Sequence, residues 1–495
     1  MSYARNLARI ARTGAPSVDS LQALRNMPIY DGFYPETVIV KGHTTPNDGG
    51  GGIFIFVDAV GSVPFVDDNG LTIVPVGGNN LIAYVRQFEQ YVTPEMYGGR
   101  DSAAISAASL SGYPVAFNTV DEYTIDTKLV FTQRFVWKGF GSYEQANGAD
   151  IQEPVSKIRI TAAGVAVDRV GITGTRNTSG DVLIEGLYFI NDGACDIIIR
   201  CSDTFRPRIK SCSFNNVANI AAESIRFECN ESFCESPSVE DCYMNYGIPI
   251  RTVPASEANV VPARYRPVTA SGTDSFLQMH LSNVLASTNG GFRLWGELGR
   301  VVVDHCGGWH RAQDQAMFHL SGDYHPTIKP TNHVHFITPF IDPAEETKNC
   351  GLFKLESPLL VAQIENAVTG GMLPVQNFNN YWFPRWMACY FSYNQHARKA
   401  NQSIQTNKNT FVRPLIRQYD VLNDDQVIKF KEEFLYDNQE LWGNSLTDRG
   451  VATIQTFRGG ALNFDAKNAT GSYCLNNGFP VGRPLGWTWG ICPNQ

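Results

Sequence analysis

A short motif recurs along the middle of the chain: an apolar residue, a polar residue, a small or polar residue, and then a small apolar residue. Several copies are preceded by a second segment in which apolar and polar residues alternate, as at 225–228 and 292–295. Alternation with a period of two predicts β-strands that are half buried. The motif copies lie at 184–187, 209–212, 239–242, 281–284, 303–306, 336–339 and 364–367, with an earlier copy at 137–140.

The spacing of the copies predicts a parallel β-helix. From residue 184 onward they follow each other at intervals of 22 to 42 residues. A unit of this length with short strands and no helix cannot bury its own apolar face, but stacked units share one core, with strands about 4.8 Å apart. Leucine-rich repeats need a regular Leu/Asn spacing, and propellers need four strands per repeat. The predicted fold class is therefore all-β, built around a parallel β-helix.

Four regions of the chain differ in composition and in sequence pattern. Residues 1–30 form a basic segment, and 31–92 form a small β-rich domain in which the glycines at 49–52 make a turn. These glycines do not indicate a phosphate-binding loop, because a strand and no Lys-Ser/Thr follows them. Residues 93–372 carry the repeat. Residues 373–495 lose it, are rich in aromatic residues, and are expected to form a separate β-rich domain for trimer formation or glycan binding.

Composition and charge exclude several classes of protein. The 495 residues are 43% hydrophobic and 18% charged, which excludes a disordered chain, and the net charge of −8 argues against a nucleic-acid partner. No apolar stretch predicts a membrane span or a signal peptide, so we expect synthesis in a cytoplasm and no membrane insertion.

Eleven cysteines are too few and too scattered for a disulfide scaffold. Cys212, Cys242 and Cys306 occupy one motif position, which predicts a stack of inward-pointing thiols; a disulfide between neighbours is the alternative. Zinc binding at Cys229, Cys234 and the downstream histidines stays open but lacks CxxC or HxxxH spacing. No metal and no cofactor is expected.

Three segments resemble bacteriophage tailspikes and related capsule or O-antigen depolymerases. The string at 38–56, VIVKGHTTPNDGGGGIFIF, is similar to the domain that precedes the β-helix in this family, and VTPEMYGGRD at 92–101 is similar to the entry into the helix. The latter has a shortened acidic turn. The segment at 136–142 resembles the opening rung.

The resemblance implies a right-handed, single-stranded parallel β-helix with a small N-terminal head or neck region. It also implies a homotrimer, attachment to a phage tail or baseplate through the N-terminus, location in the virion, and endo-cleavage of a bacterial surface polysaccharide. Catalytic residues do not lie in a shared motif of this family, so none is transferred.

The second position of the motif predicts an outward column of side chains on successive rungs. Glu240 and Asp304 lie in this column with one rung, that of Ser282, between them. Two rung spacings separate their Cα atoms by roughly 9–10 Å, close to the carboxylate separation of about 6.5–9.5 Å in inverting glycosidases. These residues are the predicted catalytic pair, and Glu228 is a further catalytic candidate.

Substrate-binding candidates surround this column. Arg293, Trp295 and His319 come from the strands that precede the motif, and a long insertion at 245–275 contributes Arg264 and Tyr265. The alternatives are that such carboxylates are merely solvated or paired across strands, that a histidine acts as the base of a polysaccharide lyase, or that the protein is a non-catalytic receptor-binding tail fibre.

Overall fold

The computed structural model describes most of the chain up to residue 365 and a set of strands beyond it. The described ranges are 14–27, 34–59, 63–77, 80–119, 121–140, 155–171, 182–229, 234–253, 275–311, 316–321, 332–343, 351–355, 360–365 and 368–369, followed by strands between residues 390 and 481.

The N-terminal part is a small five-stranded sheet with one short helix. Strand β1 pairs in parallel with β2, and the other pairs are antiparallel in the order β1-β2-β3-β5-β4. Helix α1 (Leu21–Arg25) is capped by Ser20 and packs Leu21 and Leu24 against the sheet. The strands are β1 (Ser17–Val18), β2 (Thr37–Val40), β3 (Gly52–Asp58), β4 (Thr72–Ile73) and β5 (Ile82–Gln87).

The glycine-rich turn before β3 is held from within the protein. The Asp48 carboxylate accepts backbone N–H groups of His43, Thr44, Thr45 and Gly50 at 2.8–3.0 Å. Burial alone would raise the pKa of Asp48, but these four donors lower it to about 2. The buried Arg86 guanidinium donates to the carbonyls of Gly50 and Gly51. The turn is therefore structural, as the sequence predicts.

A short entry segment leads into the β-helix. A 3₁₀ turn (Pro94–Tyr97) is followed by helix α2 (Ser102–Leu110), whose first turn is capped by Asp101. The strands that follow, up to residue 228, are β6 (Val115–Ala116), β7 (Glu122–Ile125), β8 (Leu129–Phe131), β9 (Val136–Lys138), β10 (Ser156–Ile160), β11 (Gly164–Val170), β12 (Leu183–Glu185), β13 (Leu187–Asn191), β14 (Cys195–Ser202), β15 (Arg208–Lys210), β16 (Ser213–Asn215) and β17 (Glu223–Glu228).

The remaining strands continue the same succession. Those up to residue 369 are β18 (Cys234–Glu235), β19 (Ser238–Asn245), β20 (Ile248–Val253), β21 (Ser275–Leu277), β22 (His280–Thr288), β23 (Phe292–Trp295), β24 (Glu297–Gly299), β25 (Val301–Asp304), β26 (Gly307–His310), β27 (Ala316–Ser321), β28 (Asn332–Ile337), β29 (Phe340–Pro343), β30 (Gly351–Leu355), β31 (Leu360–Glu365) and β32 (Val368–Thr369). Those beyond are β33 (Tyr390–Ser392), β34 (Ser403–Asn407), β35 (Thr410–Val412), β36 (Arg417–Tyr419), β37 (Val427–Lys431), β38 (Glu433–Tyr436), β39 (Arg449–Arg458), β40 (Ala461–Asp465), β41 (Cys474–Asn476) and β42 (Phe479–Val481).

The strands stack into three walls. Wall 1 contains β6, β9, β12, β15, the first halves of β19 and β22, then β25, β28 and β31. Wall 2 contains β7, β10, β13, β16, the second halves of β19 and β22, then β26, β29 and β32. Wall 3 contains β8, β11, β14, β17, β20, β23, β27 and β30. Each strand pairs in parallel with the strand one coil later in the same wall, as Ile184 pairs with Ile209 and Ile209 with Val239. The predicted parallel β-helix is confirmed.

A corner residue in the left-handed conformation joins wall 1 to wall 2. The third position of the sequence motif holds it in each described copy from 184 to 339, with φ between 50° and 70°. Glycine, asparagine and aspartate tolerate this conformation best, which explains why this position is small or polar. The corner residues are Gly186, Ser211, Asp241, Asn283, His305 and Thr338.

The lumen of the coil is packed with apolar side chains. Ile209, Val239, Leu281 and Val303 are fully buried at the first motif position. Cys212, Cys242 and Cys306 follow the corner, are free, and are fully buried as well. The predicted inward stack of thiols is therefore confirmed, and these three cysteines form no disulfide.

Parallel pairing does not stop at residue 372. Strands β34 and β35 pair with β31 and β32, and β37 and β38 pair with them in turn. Antiparallel pairing begins with β39, which pairs with β37, β38 and β40. The change from parallel to antiparallel strands thus lies after Tyr436, and the domain limits drawn from the sequence stay predictions.

Candidate functional site

Wall 1 carries the outward column that the sequence predicts. The register joins Glu185 to Lys210, Lys210 to Glu240, Glu240 to Ser282, and Ser282 to Asp304. Glu240 and Asp304 are therefore two strand spacings apart on one face, because each pairing step advances the column by about 4.8 Å. The relative placement of the two carboxylates in the ladder is the one expected from the motif.

The two carboxylates of wall 1 differ in their surroundings. Asp304 Oδ1 lies 2.6 Å from Nδ1 of His305, the exposed corner residue of the same coil. One coil earlier in this corner column, Asn283 donates to the carboxylate of Asp241 at 3.1 Å. Glu240 is half-buried, and its carboxylate makes no hydrogen bond or ion pair within the part of the chain that the structure describes. The wall 1 site thus consists of a carboxylate–imidazole pair and a second carboxylate further along the ladder.

Wall 3 carries a different outward column, in which Asp168 is followed by cationic residues in the next four coils. Arg200 pairs with Arg226, Arg226 with Arg251, and Arg251 with Arg293. His319 follows Arg293 in the next coil. The sequence predicted Arg293 and His319 as site residues but not the column, although the signal was visible: an apolar residue, then arginine, then another lumenal residue recurs in each of the four arginine strands.

Buried carboxylates hold the first three arginines in place. Asp168 accepts Nε and Nη2 of Arg200 at 2.9 and 2.7 Å and lies 2.5 Å from Nζ of Lys128. Glu223 accepts Nε and Nη2 of Arg226 at 2.6 and 2.8 Å, and Nη1 of Arg251 at 2.8 Å. Paired contacts of this kind are the strongest and most directional that arginine makes.

Asp168, Glu223 and the cations that they contact form an ionic layer on wall 3. The pKa values of its carboxyl groups reflect the balance between burial and positive charge. Burial alone would raise the pKa of Asp168 and of Glu223, which are 1% and 4% exposed. The hydrogen bonds and positive charges of the neighbouring cations outweigh burial and lower the pKa of both groups. Both carboxylates are ionised at neutral pH.

The predicted residue Glu228 lies at the edge of the same layer. It is 6% exposed, and its Oε2 atom is 3.8 and 3.9 Å from Nη1 of Arg200 and Arg226. That buried oxygen accepts no hydrogen bond within the described residues. A buried carboxylate between two arginines is a member of the ionic layer rather than an exposed group on a groove wall.

Aromatic residues border the column at the Arg251 and Arg293 end. The Arg251 guanidinium lies 5.1 Å from the centre of the Trp295 ring, which is the range of a cation–π contact. The rings of Trp295 and His319 are 5.3 Å apart and nearly perpendicular. The buried indole Nε1 of Trp295 has no acceptor among the described residues.

The predicted site residues thus fall on two sheets. Glu240 and Asp304 lie on wall 1, whereas Glu228, Arg293, Trp295 and His319 lie together on wall 3. Arg264 and Tyr265 lie outside the described residues. Within those residues, no group of three or more His, Cys, Asp or Glu could hold a metal ion, and every helix is too short to cross a membrane.

Comparison with known families adds one direct match. Residues 17–89 match the family model of the phage tail protein small four-stranded β-sheet domain. This segment carries a phage tail domain. The match coincides with the five-stranded N-terminal sheet and confirms, for this segment, the resemblance to phage tail proteins. No curated protein sequence matches the chain.

Several solved structures are similar to the chain at low identity. The tailspike gp42 of Acinetobacter phage vb_AbaP_AS12 is 13% identical, with a TM-score of 0.47 over 85% of this chain and 74% of that one. The enzymatically active domain of tailspike protein 4 of bacteriophage CBA120 is 10% identical, with a TM-score of 0.45 over 88% of this chain and 52% of that one. The tailspike gp49 of Acinetobacter baumannii bacteriophage Fri1, described as a capsular polysaccharide depolymerase, is 12% identical, with a TM-score of 0.41 over 89% of this chain and 82% of that one. The β-helix of this chain is established by its own strand register.

Proposed function

We propose that this protein is a phage tail component whose β-helix binds a bacterial surface polysaccharide and cleaves it by glycoside hydrolysis. Two features support the proposal: the tail domain at 17–89 and the long outer faces of polar side chains on the coil behind it. The observation that carries the catalytic part is the register that aligns Glu240 and Asp304 on one face, two strand spacings apart. The interior of the coil is filled with apolar side chains, so a polymer has to bind outside.

The separation of the pair suits an inverting mechanism. One carboxyl group protonates the glycosidic oxygen, while the other removes a proton from a water that attacks the anomeric carbon from the opposite side. His305 Nδ1 is placed to donate a hydrogen bond to Asp304, which suits the group that acts as the base. We assign the acid to Glu240.

A second candidate reaction is elimination, and the contact between Asp304 and His305 favours it. In that reading Asp304 is a positioning residue: it accepts a hydrogen bond from Nδ1–H of His305, so that the unprotonated Nε2 is the base. The imidazole removes the proton from C5 of a uronate, a double bond forms between C4 and C5, and the oxygen on C4 departs with the bonding electron pair and takes a proton from water. The product is an unsaturated uronate.

The proposal includes assembly and location. We propose that the protein is a homotrimer in the virion, attached to the tail or baseplate through its N-terminal part. The tail domain match supports that location. The surface glycan is the proposed partner, and neither reaction above calls for a metal or cofactor.

Digestion of purified capsular or O-antigen polysaccharide tests the proposal. Shorter chains with new reducing ends support hydrolysis. New ultraviolet absorbance from an unsaturated uronate would show that the reaction is elimination and not hydrolysis. Binding without any change in chain length, over a panel of glycans from hosts that adsorb the phage, would overturn the enzymatic part and leave a receptor-binding fibre. Light scattering of the purified protein tests the trimer.

A further inference from the structure

The cationic column of wall 3 is unusual for a surface that serves only stability. Like charges on directly neighbouring strands repel each other, yet arginine occupies this column in four successive coils. The chain as a whole has a net charge of −8. The positive charge is therefore concentrated on one face against the overall balance of the protein.

The buried carboxylates offset this charge only in part. Three carboxylates, those of Asp168, Glu223 and Glu228, face five cations. The cations are Lys128, just before β8, and the four arginines of the column. The excess positive charge lies at the Arg293 end of the column. Arg293 makes no ion pair within the described residues, and both burial and the adjacent Arg251 lower its pKa.

The same carboxylates also orient the guanidinium groups. Arg200, Arg226 and Arg251 are each held through one or two nitrogens, and 18–23% of each side chain stays exposed. Arginines that are already immobilised lose little side-chain entropy when they bind an anion.

We propose that wall 3 binds an acidic glycan, with Arg251 and Arg293 contacting its carboxylate or phosphate groups. The inference rests on the proposed function, in that it names the class of polysaccharide the protein recognises. Charge complementarity selects this occupant. The column advances by about 4.8 Å per coil, which is close to the advance of one sugar in an extended polysaccharide, so charges repeated along a glycan can meet successive arginines.

Calorimetric titration of the full-length protein tests the proposal with defined probes. Oligogalacturonate, which carries a carboxylate on each sugar, is compared with a maltooligosaccharide of equal length and with duplex DNA of equal charge. We expect the polyuronate to bind, the neutral probe not to bind, and the affinity to fall with added salt. Equal binding of the neutral probe, or equal binding of DNA, would overturn the inference, since neither result depends on an acidic glycan.

Substitutions locate the binding to wall 3. Arg293→Gln is expected to weaken binding about tenfold or more, because a charge-assisted hydrogen bond is lost. Arg293→Lys, which keeps the charge without the planar fork, should be intermediate. Arg134→Gln makes the same change at an exposed arginine between β8 and β9 and should leave the affinity unchanged. Equal affinities of Arg293→Gln and Arg134→Gln, with both variants folded by circular dichroism, would remove wall 3 as the site.

The outcomes separate this inference from the proposed function. Cleavage of a neutral polysaccharide that Arg293→Gln does not affect would sustain the function and overturn the acidic ligand. Arg293-dependent binding of polyuronate without cleavage of any glycan would sustain the ligand class and overturn the enzyme. If Arg293→Glu instead dissociates the oligomer and leaves polyuronate binding intact, wall 3 is an interface between copies of the chain, and the inference fails.

Discussion

Walls 1 and 3 follow the same ladder geometry but treat their outward charges differently. On wall 1, the column alternates in sign and includes neutral residues, and the contact between Lys138 and Glu185 is a loose 3.7 Å. On wall 3, like charges follow each other in four coils and pair with carboxylates that water hardly reaches. The strand register aligns outward side chains on both walls. Only on wall 3 do buried carboxylates hold a column of arginines in place. We associate the first with chemistry and the second with binding.

The largest effect is expected at the carboxylates of wall 1. Glu240→Gln and Asp304→Asn should each lower turnover of the polysaccharide at least about a hundredfold, because general acid–base catalysis contributes about 10²–10⁴-fold. Thermal unfolding should be almost unchanged, since neither side chain is buried. The measurement is initial rates of reducing-end formation, or of ultraviolet absorbance if the reaction is elimination.

Glu185→Gln serves as the matched control for this pair. It lies in the same column and keeps the shape of the side chain, but it lies outside the proposed pair. Near-normal rates in both test variants would remove Glu240 and Asp304 as catalytic residues. An equal loss in Glu185→Gln would mean that the whole column acts by charge alone.

The next effect concerns the stability of wall 3. Glu223→Ala removes the carboxylate that Arg226 and Arg251 share, so it leaves two half-buried guanidinium groups without their main partner. We expect a loss of about 3 kcal/mol in the free energy of unfolding, in line with the removal of one partner from a buried ion pair. Denaturant titration measures this, with Glu185→Ala on wall 1 as the control. A loss of less than about 0.5 kcal/mol, which is usual for a surface substitution, would show that these carboxylates do not hold the column.

Acid should weaken wall 3 through the same carboxylates. The pKa values of Asp168 and Glu223 are lower in the folded protein than in the unfolded chain. Their contribution to stability is therefore complete above the unfolded values of about 3.9 and 4.3 and is lost as pH falls through the lower folded values. Unfolding free energy measured between neutral pH and pH about 3 should fall more gently in Asp168→Asn than in the unchanged protein. Parallel curves for the two proteins would contradict this account.

A smaller effect is expected in the lumen behind both walls. Burial raises the pKa of Cys212 and of Cys306 to about 12, so these thiols should resist alkylation at pH about 8 until the protein unfolds. Cys242→Ser should destabilise the fold by about 1–3 kcal/mol, because a hydroxyl there replaces a weakly polar thiol. Cys242→Ala is the control for lost volume. Rapid alkylation of Cys212, Cys242 or Cys306 in the native protein would mean that the stack is open to solvent.

The smallest effect concerns the corner between walls 1 and 2. Ser211 has a φ of 51°, and Ser211→Val should cost about 1–2 kcal/mol, since a β-branched residue is strained in the left-handed region. Ser211→Gly should be tolerated. Equal stability of the two variants, by denaturant titration, would show that this corner does not require the conformation.

Much of the coil could be predicted because its determinants are local. Alternation of apolar and polar residues identified the strands, and the small or polar third position of the motif marks the corner, where a left-handed residue is needed. The inward position of the cysteines and the succession of Glu240, Ser282 and Asp304 in one column follow from the same alignment of motif copies. The arginine column was equally visible in principle, but without a view of which strands share a wall, Arg200, Arg226 and Arg251 read as unrelated surface residues.

By itself, then, the sequence determined the coil: which residues face inward, where each turn of the coil bends, and which outward residues share a column on wall 1. Only the tertiary structure decided which carboxylates pair with which arginines, and that Glu228 and Arg293 share a sheet that excludes Glu240 and Asp304. The physical reason is that alternation and corner conformation depend on neighbours in the chain. The contacts of Asp168 with Arg200 and of Glu223 with Arg251, in contrast, join residues 32 and 28 positions apart, and the variable segments between the strands set which of them meet.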